Sequence, residues 1–186
     1  MAVACPNTDL FWVALQVRPR SERIVASALE SKNIEVFIPH YTTRRKWSDR
    51  VKQLQIPLFD GYVFCRLNLL YRLPALTIPG VIQFVGFGKV PAPIEEREIA
   101  ALQLVMKSGL PSMPWPFLKV GQKVRVDRGP LRDVEGILER TKGFDRLILS
   151  VSLLERSIAV EVDRNSVTPI TPPQMVRPPA FSAASF

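Results

Sequence analysis

The side chains able to do acid–base or nucleophilic chemistry are few in this sequence and badly placed for it. There is one histidine, His40, and there are two cysteines, Cys5 and Cys65. A Ser-His-Asp or Cys-His device needs its histidine beside a nucleophile. His40 instead follows Pro39 at the end of a short apolar run, the setting of a surface or packing residue. No Cys or His pair has zinc-ligand spacing, and two cysteines make no disulfide framework. Gly86-Phe87-Gly88-Lys89 has some likeness to a phosphate loop. It lacks the upstream glycine spacing, however, and carries Val90 where Ser or Thr would hold a metal. Glu95, Glu96 and Glu98 stand before a helix, where carboxylates complement the helix dipole. The sequence offers no active site and implies no metal or cofactor, so the expectation is a protein that binds and is not an enzyme.

What remains is one basic stretch and one aromatic one. The net charge is +8. Residues 1–110 hold 14 Lys and Arg against 9 Asp and Glu, and residues 18–52 alone hold 9 against 4, so the early excess sits in one segment. Arg18, Arg20, Arg23, Arg44, Arg45, Lys46, Arg50 and Lys52 could follow phosphates, with Trp47 available for stacking. A solvated hairpin arm is the plainer alternative. Phe59, Tyr62 and Phe64 belong to a sheet that also holds Trp12, and strand alternation puts Tyr62 and Phe64 on one face and Val63 on the other. A small domain cannot bury all of these rings, which makes an apolar docking patch credible.

The elements that must position these residues follow from the pattern. Leu10–Val17 reads as a buried strand ended by Pro19. Ser21 can cap a helix with Ile24, Val25, Ala28 and Leu29 on one face. Residues 36–38 form a short strand. Residues 41–57 make a polar hairpin that turns at Ser48-Asp49 and projects from its sheet. Residues 61–67 and 81–85 are further strands, with a helical turn over 68–77 between them, and Pro93 opens a last helix. Proline-rich residues 109–118 suit an extended linker. Beyond it, 122–126, 134–140, 146–151, 157–162 and 167–170 read as five short strands, enough to close a small barrel. The organisation is therefore α+β: a flexible start over 1–10, an antiparallel sheet with flanking helices over 11–108, the linker, a barrel over 119–170, and a disordered tail over 171–186. Residues 119–170 hold 10 basic side chains against 8 acidic ones. No apolar run approaches the ~18 residues that span a bilayer, and no signal peptide opens the chain. A cytoplasmic monomer with no membrane association is expected.

Several segments together resemble the NusG family of transcription factors. Phe11-Trp12-Val13 looks like the family's opening aromatic strand. Pro57-Leu58-Phe59-Asp60-Gly61-Tyr62-Val63-Phe64 is similar to its Phe-Pro-Gly-Tyr-Val motif. Pro79-Gly80-Val81, Phe84-Val85-Gly86 and Pro91-Ala92-Pro93-Ile94 match the block before its last helix. Val124 to Leu131, with Gly136 after it, is similar to the KOW motif. The resemblance implies an N-terminal NGN domain that docks on the clamp helices of the largest RNA polymerase subunit, through Trp12, Phe59, Tyr62 and Phe84. It also implies a basic arm facing upstream or non-template DNA. The second domain would be a five-stranded, SH3-like KOW barrel that recruits a ribosomal protein or the termination factor Rho.

The sequence departs from the family pattern at two places. Asp60 stands where proline is usual. Leu153-Leu154-Glu155-Arg156-Ser157 replaces a Phe-Gly-Arg-like loop and resembles specialised antiterminator paralogs, which makes Leu153, Leu154 and Arg156 the candidate partner-binding residues of the barrel. The rivals are a housekeeping elongation factor of the same fold and a KOW-type structural RNA-binding protein.

Overall fold

The computed structural model describes residues 9–46, 51–87, 90–115, 122–141 and 144–170. The N-terminal half is built around strand β1 (Phe11–Val17), whose residues Trp12 to Leu15 are all buried. A strand buried on both faces reads as a continuous apolar run, and Trp12 to Leu15 is one. Helix α1 (Glu22–Glu30) follows, then β2 (Glu35–Phe37), the hairpin β3 (His40–Lys46) and β4 (Val51–Pro57), and β5 (Tyr62–Leu67). A short helix α2 (Leu73–Leu76) leads to β6 (Val81–Phe84) and a small hairpin, β7 (Gly86–Phe87) with β8 (Val90–Pro91). Helix α3 (Glu96–Ser108) closes this half.

The first sheet has the order β2-β5-β1-β6, all antiparallel. Its two faces follow from the period of two. Val13, Leu15, Val63 and Cys65 pack with Val25 and Leu29 of α1, while Trp12, Ala14 and Phe64 pack with Ile99, Leu102 and Val105 of α3. The β3–β4 hairpin forms its own two-stranded sheet, as its polar composition suggests; its turn at Ser48-Asp49 lies outside the described residues. The β7–β8 hairpin occupies residues that read only as a turn. Gly86 is required there, since a Cβ would lie 2.1 Å from the Val90 carbonyl oxygen.

Two local expectations are corrected. On α1 the buried set is Glu22, Val25, Ala26 and Leu29, and Ile24 is 68% exposed. The helix is turned because Glu22 is drawn inward, where its Oε1 accepts the Gly61 N–H at 2.9 Å. Ser21 takes the N-cap position, but its side chain makes no capping hydrogen bond. The end of α3 is conventional: Gly109, at φ +68, supplies the left-handed residue that terminates it.

Within the proline-rich stretch, Ser112–Trp115 is extended and forms strand β9. The five expected strands of the C-terminal half are all present: β10 (Gln122–Val126), β11 (Glu135–Thr141), β12 (Phe144–Val151), β13 (Arg156–Glu161) and β14 (Val167–Pro169). They form one antiparallel sheet in the order β14-β10-β11-β12-β13-β9, so β9 adds a sixth strand at the edge. The fold is α+β, with a barrel-like second half. Among the described residues, no helix is long and apolar enough to cross a membrane.

Gly136 on β11 is a second position with no room for a side chain, because a Cβ would lie 2.6 Å from the Ile148 carbonyl oxygen. That obstacle is backbone and cannot rotate away. Gly136→Ala is expected to destabilise the barrel by about 1–3 kcal/mol, read as a lower urea midpoint with an unchanged m-value.

Candidate functional site

The aromatic face is built around a turn. Val17 N–H donates to the Gly61 carbonyl at 2.9 Å, and Tyr62 N–H donates to the Phe59 carbonyl at 3.2 Å. With the Glu22 carboxylate holding the Gly61 N–H, the turn is tied to both β1 and α1. Gly61 sits at φ +78, a conformation that favours glycine. This geometry sends Phe59 into the sheet, edge-on to Phe64 with ring centroids 5.5 Å apart. Trp12 is fixed beside them through its carbonyl, which accepts the Ile94 N–H at 2.7 Å.

The structure brings three of the four expected docking residues together and separates the fourth. Trp12 and Phe59 share one cluster, with Tyr62 packed against it. Phe84 lies opposite Leu15 in register, and Leu15 points to the α1 side. Directly opposed residues share a face, so Phe84 belongs to the other side of the sheet. Of the four expected residues, Trp12, Phe59 and Tyr62 therefore share one side of the sheet, and Phe84 lies on the other. Nor does this patch stand open: Trp12 is 2% exposed and Phe59 is 1% exposed, while Tyr62 is half-buried.

The barrel meets this side of the sheet. One buried cluster runs from Trp12, Phe59 and the α3 residues to Val124, Leu147 and Ile158 of the barrel. The Arg156 guanidinium lies 5.1 Å from the centroid of the Tyr62 ring. Glu98 on α3 accepts from Ser152, from the hydroxyl at 2.8 Å and from the N–H at 3.3 Å. Leu153 and Leu154 are half-buried against the same cluster. Two residue sets expected to serve separate partners therefore meet each other. Between α3 and the barrel a cleft of about 930 Å³ remains, lined by Ala101, Leu104, Val134, Ile137 and Ile148 among others.

The basic residues lie elsewhere. Arg18, Arg20 and Arg23 are exposed where β1 runs into α1, and the Arg23 Nη2 donates to Gln55 Oε1 on β4 at 3.4 Å. Arg44, Arg45 and Lys46 stand on β3, and Lys52 stands on β4 in register with Arg45. Trp47 and Arg50 lie outside the described residues. The Arg23–Gln55 contact brings the start of α1 next to β4. Among the described residues no group of three His, Cys, Asp or Glu side chains could hold a metal.

His40 sits at the base of this hairpin. Its Nε2 is buried and finds no hydrogen-bond partner among the described residues. Burial, and then the nearby Arg23 charge, lower its pKa, outweighing the Ile38 backbone and Glu22, which act the other way. Sequence reasoning gave His40 a surface or packing role but missed its position near Arg23, because Arg23 is distant in sequence and close only in the fold. The Cys65 thiol is buried in the sheet and pushed up to about 12, which makes it inert as a nucleophile.

An antiparallel sheet flanked by helices, with a six-stranded barrel-like sheet packed against it, makes this an α+β protein. The family model for the transcription termination factor NusG matches residues 10–103, half of the 186-residue chain. The chain belongs to the NusG family. The transcription termination/antitermination protein NusG of Helicobacter pylori is 28% identical over 172 residues, covering 86% of this chain and 98% of that protein. Its counterpart in Pseudomonas aeruginosa is 28% identical over 157 residues, covering 81% and 88%. A solved structure describing domain interaction in Thermotoga maritima NusG matches 88% of this chain and 98% of that one, with a TM-score of 0.52 at 22% identity. That likeness shows a shared fold.

The His40 environment sets a pH dependence. The folded chain favours the neutral imidazole, so the unfolded chain binds the proton more readily. The stability this gives is full above the ordinary value of 6.5 and is lost as pH falls through 6.5 toward the lower folded value. Because His40 is the one histidine, His40→Gln is expected to flatten stability against pH between about 5.5 and 7.5. Urea titrations at several pH values check this.

Proposed function

We propose that this chain is a transcription elongation and antitermination factor whose first domain docks on the clamp helices of the largest RNA polymerase subunit. There it suppresses pausing and termination, as an operon-specific paralog within its family. The observation that carries this reading is that the Trp12–Phe59–Tyr62 face already receives a folded protein module, with Arg156 seated over Tyr62. A face shaped to accept the barrel in cis has the apolar character needed to accept partner helices in trans once the barrel moves aside. Docking need favour the elongating state by only ~1.4 kcal/mol to shift a pause equilibrium tenfold.

Arg18, Arg20 and Arg23, with the β3–β4 arm, lie toward upstream or non-template DNA in this reading. The barrel recruits a ribosomal protein or Rho. Leu153, Leu154 and Arg156 are engaged with the rest of the chain here; the specialised reading rests on the Leu153-Leu154-Glu155-Arg156-Ser157 run, and a housekeeping member of the same fold is the alternative. The factor works as a monomer in the cytoplasm.

Trp12→Ala and Phe59→Ala would remove core side chains at a cost of about 3–5 kcal/mol, so the test uses the half-buried Tyr62 and the exposed Arg156. Full-length chains are titrated against core RNA polymerase and the bound fraction is measured. Tyr62→Ala is expected to weaken binding roughly tenfold. Arg156→Ala is expected to strengthen it about two- to fivefold, the range of an exposed cation–π contact. Unchanged binding by both folded variants, or no binding by the native chain, would overturn the docking reading.

A further inference from the structure

The cleft between α3 and the barrel has an apolar wall on each side. Ala101 and Leu104 of α3 stand on one, and Ile137 and Ile148 of the paired strands β11 and β12 stand on the other. Ala101, Leu104 and Ile137 are only half-buried. The volume of about 930 Å³ is in the range of concave sites that enclose most of an apolar ligand. Packing of the halves thus leaves apolar surface of both along one line, and removing that surface from water is favourable.

The chain itself leads into this cleft. Ile170, at the end of the barrel, lines it and is fixed there, its N–H donating to the Lys123 carbonyl at 2.9 Å. The sequence beyond reads Thr171-Pro172-Pro173-Gln174-Met175-Val176-Arg177. The two prolines restrict the backbone to extended paths, which lowers the entropy lost on docking. Met175 comes five positions after Ile170, a reach of roughly 17 Å at full extension. Its unbranched thioether side chain adapts to irregular apolar walls. Arg177 is the one charged side chain in residues 171–186. On the barrel side the cleft carries the exposed carboxylates of Asp133 and Glu135.

We infer that this cleft is the seat of residues 171–177 of the same chain, with Met175 and Val176 on its apolar walls and Arg177 toward Glu135. The segment then touches α3 and the barrel at once and straps the two halves together. A foreign apolar segment competes poorly for the same walls, since the tethered one acts at an effective concentration in the mM range. The inference concerns contacts within the chain and does not rest on polymerase being the partner of the first domain.

The test uses the full chain and a fluorescent peptide with the sequence of residues 171–186. The opened form is the full chain carrying Met175→Asp and Val176→Asp together, which leaves every core residue named above unchanged. The native chain should bind the peptide weakly, because its own segment holds the cleft. The opened chain should bind it at least about tenfold more tightly, with a Kd below about 1 mM. The same two aspartates in the peptide should abolish binding. Glu135→Lys, added to the opened chain, should weaken binding at least about twofold by removing the partner of Arg177. Equal affinity of native and opened chains, or no binding by the opened chain up to about 1 mM, would overturn the inference. Binding indifferent to Glu135→Lys or to the peptide's aspartates would put the peptide elsewhere and overturn it equally.

Discussion

Strand β1 has no solvent face, and most of the architecture answers to that constraint. Val13, Leu15 and Val17 need cover on one side and Trp12 and Ala14 on the other. At roughly 25 cal/mol per Å² of apolar area, leaving either side open would cost several kcal/mol. Helix α1 answers on one side and α3 on the other. The turn that carries Phe59 and Tyr62 is held between them by hydrogen bonds to Val17 and Glu22. The aromatic face is thus not an appendage of the domain. Its rings are positioned by the same strand that organises both cores.

The contacts between the two halves are of a different kind. They include one cation–π pair, a carboxylate accepting from an exposed serine, and the apolar contact of α3 with the barrel, beside which a large cleft remains. An exposed cation–π contact contributes about 0.5–1 kcal/mol. Each half, by contrast, encloses a set of fully buried branched and aromatic side chains.

Much of this was legible in the sequence. Period-two alternation located β5 and set Tyr62 and Phe64 against Val63, and turn residues separated the five strands of the barrel. Motif order pointed to the NusG family, and the family comparison agrees. Other features were not legible. The face reached by Phe84 depends on its register against Leu15, which no local pattern encodes. Ile24 looked like a core residue because helical periodicity does not reveal that Glu22 would be drawn inward by the Gly61 N–H. Ser112–Trp115 could be read as extended, but extended backbone has no pairing until a free strand edge is found for it.

By itself, then, the sequence determined most of the elements, their order and the family, because these depend on composition and short-range spacing. Only the tertiary structure decided that Arg156 lies over Tyr62, that burial and then the Arg23 charge lower the pKa of His40, and that β9 closes the edge of β13. Each of these joins residues far apart in the chain. Contacts of that kind are selected by the packing of whole faces, which local sequence constrains but does not specify.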